Sequence, residues 1–160
     1  MVRAATPGDH AAIHAVEAAA FGQEDEALMV EAARAEGAAL AELVEARDGR
    51  IVGHILFNRM TCDPPRLIAG LAPVAVDPAY QNQGIGDALC RAGIEAVQAL
   101  GAEAVVVLGH PAYYPRFGFS PALTAPLTSP YAGRAAFMGL ELSPGALTPP
   151  LKIDYPAAFG

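Results

Sequence analysis

Six consecutive residues, Gln81-Asn82-Gln83-Gly84-Ile85-Gly86, hold the clearest chemical potential in the chain. They follow the apolar run Val74-Ala75-Val76 and the turn residues Asp77-Pro78, and they open an amphipathic helical pattern. The first backbone N–H groups of a helix lack partners inside it and sit at the positive end of its dipole. An anion placed there accepts several bonds at once. Glycine at 84 and 86 removes the Cβ atoms that would keep a phosphate or diphosphate off the backbone, and the Gln81 amide adds a donor. No Gly-Lys-Ser/Thr follows, so this is not a Walker loop. Leu89 stands where the third glycine of a dinucleotide fingerprint belongs. A plainer alternative is that the glycines only serve a tight strand-to-helix connection.

Other reactive side chains are scattered. Cys62 and Cys90 form neither a CxxC nor a metal spacing and read as free thiols of a reducing cytoplasm, and no metal is expected. His54 shares a strand face with Val52 and Leu56 and reads as a semi-buried structural residue. Glu24-Asp25-Glu26 suit the positive end of a helix dipole.

The elements that must position these groups are legible from periodicity. The 160 residues suggest one domain, 1–160, burying roughly 70% of the surface of the unfolded chain. Residues 2–5 read as a strand. Thr6-Pro7-Gly8-Asp9 opens a helix continued by Ile13, Val16 and Ala20. A second helix is predicted over residues 25–36, stopped by Gly37. Asp48-Gly49 turns a hairpin between strands 42–47 and 50–59. In its second arm Ile51, Gly53, Ile55 and Phe57 share one face, opposite Val52, His54, Leu56 and Asn58. Strand 67–76 contains Pro73, which marks a bulge or an unpaired edge. The best helix is 84–100, with Ile85, Leu89, Ala92, Ala96 and Leu100 as its apolar stripe. Strands follow at 105–108, 136–142 and 151–155. This order gives a mixed α/β (α+β) domain rather than a doubly wound one. The formal charge of −7 argues against a nucleic-acid partner and is compatible with a cationic substrate. No run of about 18 apolar residues and no apolar leader core is present, so a cytoplasmic protein without membrane contact is expected.

Residues 81–86 match the Gln/Arg-x-x-Gly-x-Gly/Ala signature of the GNAT superfamily of N-acyltransferases. As in that family, an apolar strand ending Val-x-Pro-x-Tyr comes before it, here Val76-Asp77-Pro78-Ala79-Tyr80. Tyr114-Pro115-Arg116-Phe117-Gly118-Phe119 resembles the Tyr-x-x-x-Gly-Phe found after the family's fifth strand. The longer run from Leu108 to Phe119 looks like the YhbS-like bacterial acetyltransferases. The resemblance covers nearly the whole chain and is weakest after Pro121. One departure is Gln83, where many relatives carry Lys or Arg beside the diphosphate.

The resemblance implies a GNAT fold: a mixed, mostly antiparallel sheet of about 6–7 strands flanked by about 4 helices. Its fourth and fifth strands, here 67–76 and 105–108, part like a V. It implies acetyl-CoA as co-substrate, with no metal. Val74, Ala75, Val76, Gln81, Asn82, Gln83, Gly84, Ile85, Gly86, Asp87, Tyr114 and Phe117 would form its site. The implied activity is N-acetyl transfer to a primary amine, borne by a small molecule or a peptide, through direct attack. Tyr114 occupies the position of the family's proton donor and Tyr113 is its weaker neighbour. His110, just after the fifth strand, is a candidate base. Glu24, Asp25 and Glu26 fall in the segment that frames the acceptor in relatives, and relatives often form homodimers. The alternative is a non-catalytic acyl-CoA-binding or sensing module. An NAD-linked enzyme would need a longer parallel sheet.

Overall fold

The computed structural model describes residues 1–160. Six strands form the main sheet: β1 (Val2–Ala4), β2 (Ala39–Arg47), β3 (Arg50–Arg59), β5 (Ile68–Val76), β6 (Ala104–Leu108) and β7 (Phe137–Glu141), in the order β1-β2-β3-β5-β6-β7. Only β5 and β6 run parallel; the other neighbours are antiparallel. A short β4 (Thr61–Asp63) pairs with β8 (Lys152–Asp154) in a separate ribbon. Three residues are too few to show alternation, so the sequence pattern does not mark β4 as a strand.

Helix α3 (Ile85–Ala99) covers one face of the sheet, packing Ile85, Leu89, Cys90 and Val97 on Leu43, Val52, Ile55 and Phe57. Helices α1 (His10–Phe21) and α2 (Asp25–Ala35) cover the other, with Ile13, Val30 and Ala33 on Val44 and Leu56. The C-terminal third extends that second face, placing Phe137, Leu147, Leu151 and Ile153 against Ile68, Ala104 and Val106. There are three α-helices rather than about four. The remaining helical pieces are single 3-10 turns such as Tyr114–Phe117, which has Pro115 near its start and the left-handed Gly118 at its end.

Two packing expectations are corrected. Leu100 is 55% exposed, and the buried stripe of α3 runs instead through Gly93 and Val97. A Cβ on Gly93 would lie 2.2 Å from the Phe57 ring, so an absent side chain marks the helix's closest approach to the sheet. Val52 faces α3 together with Ile55 and Phe57, not with Leu56. Glu45 pairs with Gly53 and Ala46 with Ile51, which leaves Val52 as the extra residue of a bulge. A one-residue insertion of this kind shifts the alternation of faces.

The bulge that matters for function lies in β5. Ile55 pairs with Val74 but Phe57 with Leu71, so β5 carries one extra residue at Ala72-Pro73. The Asn58 side-chain amide donates to the Ala72 carbonyl at 2.9 Å and secures it there. Pairing with β6 covers only Ile68 to Leu71 against Ala104 to Val107. Beyond Leu71 the two strands separate, and Val74, Ala75 and Val76 keep only β3 as a neighbour.

Candidate functional site

The wedge between β5 and β6 opens into a cleft of about 790 Å³. Val74, Ala75 and Val76 form one wall and the start of α3 another. The segment from His110 to Arg116 closes the third side, and Ala20 and Phe21 at the end of α1 close the fourth.

Local chemistry explains the loop before α3. Asn82 and Gly84 both hold positive φ, +63° and +82°, which bends the chain sharply enough for the helix to start at Ile85. A Cβ on Gly84 would meet nothing within 4 Å, so glycine is needed there for its conformation. At Gly86 space is the constraint: a Cβ would lie 3.3 Å from the Tyr113 hydroxyl and 3.9 Å from Val76. The Gln81 amide donates to the Val76 carbonyl at 3.1 Å and ties the loop to the strand.

The tyrosine pair is arranged asymmetrically. The Tyr113 hydroxyl donates to Asp87 Oδ1 at 2.6 Å, and the Arg116 guanidinium stacks 4.2 Å from the Tyr113 ring centroid while lying 3.5 Å from the other Asp87 oxygen. Burial and the Asp87 bond push the Tyr113 phenol pKa up, so its proton stays on the hydroxyl and is committed to Asp87. Tyr114 is buried edge-on between Tyr113 and Phe119 and reaches the cleft. Gly109 lets it in, since a Cβ there would lie 2.4 Å from the ring. Burial raises its pKa as well, so the phenol stays protonated at neutral pH.

Of the residues singled out from sequence, Val74, Ala75, Val76, Gln81, Asn82, Gly84, Ile85, Gly86, Asp87, His110 and Tyr114 line this one cleft. His110 is exposed at its edge. Tyr113 lines it as well, and two of the expected cofactor-binding residues lie outside its lining. Gln83 accepts from Arg47 Nη1 at 2.9 Å, turned toward the β2–β3 hairpin, and Phe117 packs behind Tyr113 beneath the Arg91 guanidinium. Sequence reasoning passed over Tyr80 and Arg116, although both sit inside the motifs it quoted. It passed over Ala20 and Phe21 because tertiary packing alone brings α1 to the cleft. Glu24 is held by His14, which also binds Glu31. Burial lifts the Cys90 thiol to about 12, which leaves no nucleophile there. No three His, Cys, Asp or Glu side chains converge as a metal would require.

His54 is fully buried rather than semi-buried, and it centres a charged chain. Its Nδ1 lies 2.6 Å from Glu17 Oε2 and its Nε2 2.7 Å from Glu42 Oε2, while Arg34 grips Glu42 from α2 with Nε and Nη2. Burial works against the imidazolium, but the bonds to Glu17 and Glu42 outweigh it and hold the His54 pKa above 6.5. Burial also works to raise Glu42, yet the bonds from His54 and Arg34 bring it down to about 2. Glu17, more deeply buried, is raised by that burial.

These shifts set a pH dependence. His54 binds its proton more tightly when folded, so its contribution is complete below 6.5 and is lost as pH rises through the elevated folded value. Glu17 is harder to ionise when folded, so it adds to the loss above 4.5. The Glu42 contribution is complete above 4.5 and disappears as pH falls through about 2. Urea unfolding should therefore show stability declining as pH rises past 6.5, and a His54→Gln variant should flatten that decline. A wild-type stability that climbed steadily into alkaline pH would contradict the assignment.

Residues 10–119 match the Acetyltransferase (GNAT) family. YjhQ, an uncharacterized N-acetyltransferase of Escherichia coli K12, is 38% identical over 165 residues, covering 95% of this chain and 91% of its own. A GNAT family acetyltransferase from Brucella melitensis, solved in complex with acetyl-CoA, superposes with a TM-score of 0.84 at 34% identity, covering 100% of this chain and 97% of that one. The Escherichia coli N-acetyltransferase YhbS, solved in complex with CoA, superposes with a TM-score of 0.89 at 31% identity, covering 99% and 91%.

Proposed function

Because the chain belongs to the acetyltransferase (GNAT) family, we propose that it moves an acetyl group from acetyl-CoA to a primary amine by direct attack, without an acyl-enzyme. One observation carries this reading: the glycine-opened start of α3 and the gap where β5 leaves β6 face the same cleft. The complexes of the Brucella melitensis protein with acetyl-CoA and of YhbS with CoA support the choice of co-substrate.

In this reading the backbone N–H groups around Gly84 to Asp87 receive the diphosphate. Arg116, already in the cleft wall, supplies positive charge that Gln83 lacks. The parted edge at Val74 to Val76 offers backbone groups that need partners, and the amides of the pantetheine arm can provide them. The thioester then lies near Ala75, where a backbone N–H can stabilise the oxygen of the tetrahedral state. The amine nitrogen forms the new bond to the carbonyl carbon, and the C–S bond breaks. The thiolate takes its proton from Tyr114, the cleft phenol that is not committed to Asp87.

The test is release of free thiol from acetyl-CoA across a panel of primary amines. Calorimetric binding of acetyl-CoA with no thiol released for any amine would favour a sensing module instead. Within an active enzyme, Tyr114→Phe should lower kcat roughly 100-fold, the low end of what a positioned proton donor contributes. Its Kd for acetyl-CoA should barely move, and an undiminished kcat would remove Tyr114 from the mechanism.

A further inference from the structure

Asp87 is the only carboxylate that lines the cleft, and it stands where a diphosphate would least tolerate a negative charge. It is the third residue of α3. Ala88 is the first residue of that helix whose N–H bonds back, to the Gly84 carbonyl at 3.1 Å, and the N–H groups of Ile85, Gly86 and Asp87 have no acceptor in the chain. An acidic side chain at the third position ordinarily reaches back to the free donors of its own helix start. Asp9 does so elsewhere in this protein, holding the same position after Thr6 and accepting the Thr6 N–H at 2.8 Å. Asp87 accepts no backbone N–H.

Two partners divert it. The Tyr113 hydroxyl donates to Oδ1 at 2.6 Å, and Arg116 Nη1 lies 3.5 Å from Oδ2. Arg116 is itself fixed, because its Nε donates to the Tyr113 carbonyl at 2.9 Å and its guanidinium stacks on the Tyr113 ring. Arg91, one turn further along α3, lies over the Phe117 ring and makes no ion pair with Asp87. A Cβ on Gly86 would lie 3.3 Å from the Tyr113 hydroxyl, so the bond to Asp87 is made directly beside the helix start. Asp87, Tyr113 and Arg116 all line the cleft.

We infer that Tyr113 is a positioning residue for the co-substrate: with Arg116 it draws the Asp87 carboxylate aside and keeps the first N–H groups of α3 open to the diphosphate. This rests on the acyltransfer reading above. Released from the hydroxyl, a carboxylate on the first turn can turn back to those N–H groups and compete with the incoming anion. Wherever it then settles in that turn, it remains a like charge beside the phosphates. The two adjacent tyrosines thus divide the work. Tyr114 serves the thioester, and Tyr113 serves the other end of the same molecule.

Calorimetry with acetyl-CoA on Tyr113→Phe, Asp87→Asn and the double variant tests the assignment. Phenylalanine keeps the ring on which Arg116 stacks and removes only the hydroxyl, so the thermal midpoint should stay within a few degrees of wild type. Tyr113→Phe should raise the Kd about tenfold, a modest part of what a like charge close to a phosphate costs. That excess should shrink as ionic strength rises toward about 1 M, where the Debye length falls to about 3 Å. Asp87→Asn removes the charge and should lower the Kd at least about threefold. The double variant should then bind at least as tightly as wild type. Such a rescue distinguishes positioning from simple packing, since a packing defect at Tyr113 would persist when Asp87 is changed as well. An unchanged Kd in Tyr113→Phe, a deficit that survives in the double variant, or weaker binding by Asp87→Asn would overturn the inference. A wild type that neither binds acetyl-CoA nor releases its thiol overturns the acyltransfer reading itself. Wild-type binding and turnover without rescue overturn only the role given to Tyr113.

Discussion

Gly86→Val should weaken acetyl-CoA binding by at least about 100-fold, which corresponds to about 2.7 kcal/mol, while the thermal midpoint stays within a few degrees of wild type. The first added carbon would already lie 3.3 Å from the Tyr113 hydroxyl, and that hydroxyl cannot readily withdraw because Asp87 holds it at 2.6 Å. The two branches of valine must therefore point into the cleft, across the backbone N–H groups that would receive the diphosphate. Stability should change little, because valine is a somewhat better helix residue than glycine and offsets part of the local crowding. Gly84→Ala provides the contrast. Its methyl group would meet nothing within 4 Å, but the residue sits at φ +82°. Alanine there should cost about 1–2 kcal/mol of stability and affect affinity mainly through loop geometry. Calorimetry with acetyl-CoA and thermal melts of both variants separate the two effects. Wild-type affinity in Gly86→Val would mean that the diphosphate does not sit on this helix start.

The second large effect is on the fold. His54→Ala should cost about 3–5 kcal/mol, the usual penalty for removing one partner of a buried ion pair. Without the imidazole, Glu17 loses its one hydrogen-bond partner and Glu42 keeps only Arg34. The loss should be reduced when Glu17→Gln is added, because the double variant no longer buries an unpaired carboxylate. Urea denaturation at pH 7 of the two single variants and the double one gives the coupling directly. Additive losses would mean that the two side chains do not interact. This measurement is independent of any acceptor amine.

Much of the molecule could be read before its structure, and the reasons are local. Asp48-Gly49 and the strands beside it were evident because left-handed backbone at that pair favours a two-residue turn. The bulge in β5 was signalled by Pro73, which has no N–H to give a ladder. Errors arose where a side chain was missing or a register slipped. Gly93 carries no apolar group, so the sequence pattern points to a stripe of α3 through Leu100, and the bulge at Val52 moves that residue to the opposite face.

The loop at 81–86, the helix it opens and the strands around it were determined by the sequence itself, because φ preference, capping and apolar period act between near neighbours in the chain. The far wall of the cleft and the chain Glu17–His54–Glu42–Arg34 were decided only in three dimensions. Residues 17 and 54 are 37 positions apart, and 42 and 54 are 12 apart. No periodicity links them; a strand register and the angle at which α1 crosses the sheet bring two carboxylates to one imidazole.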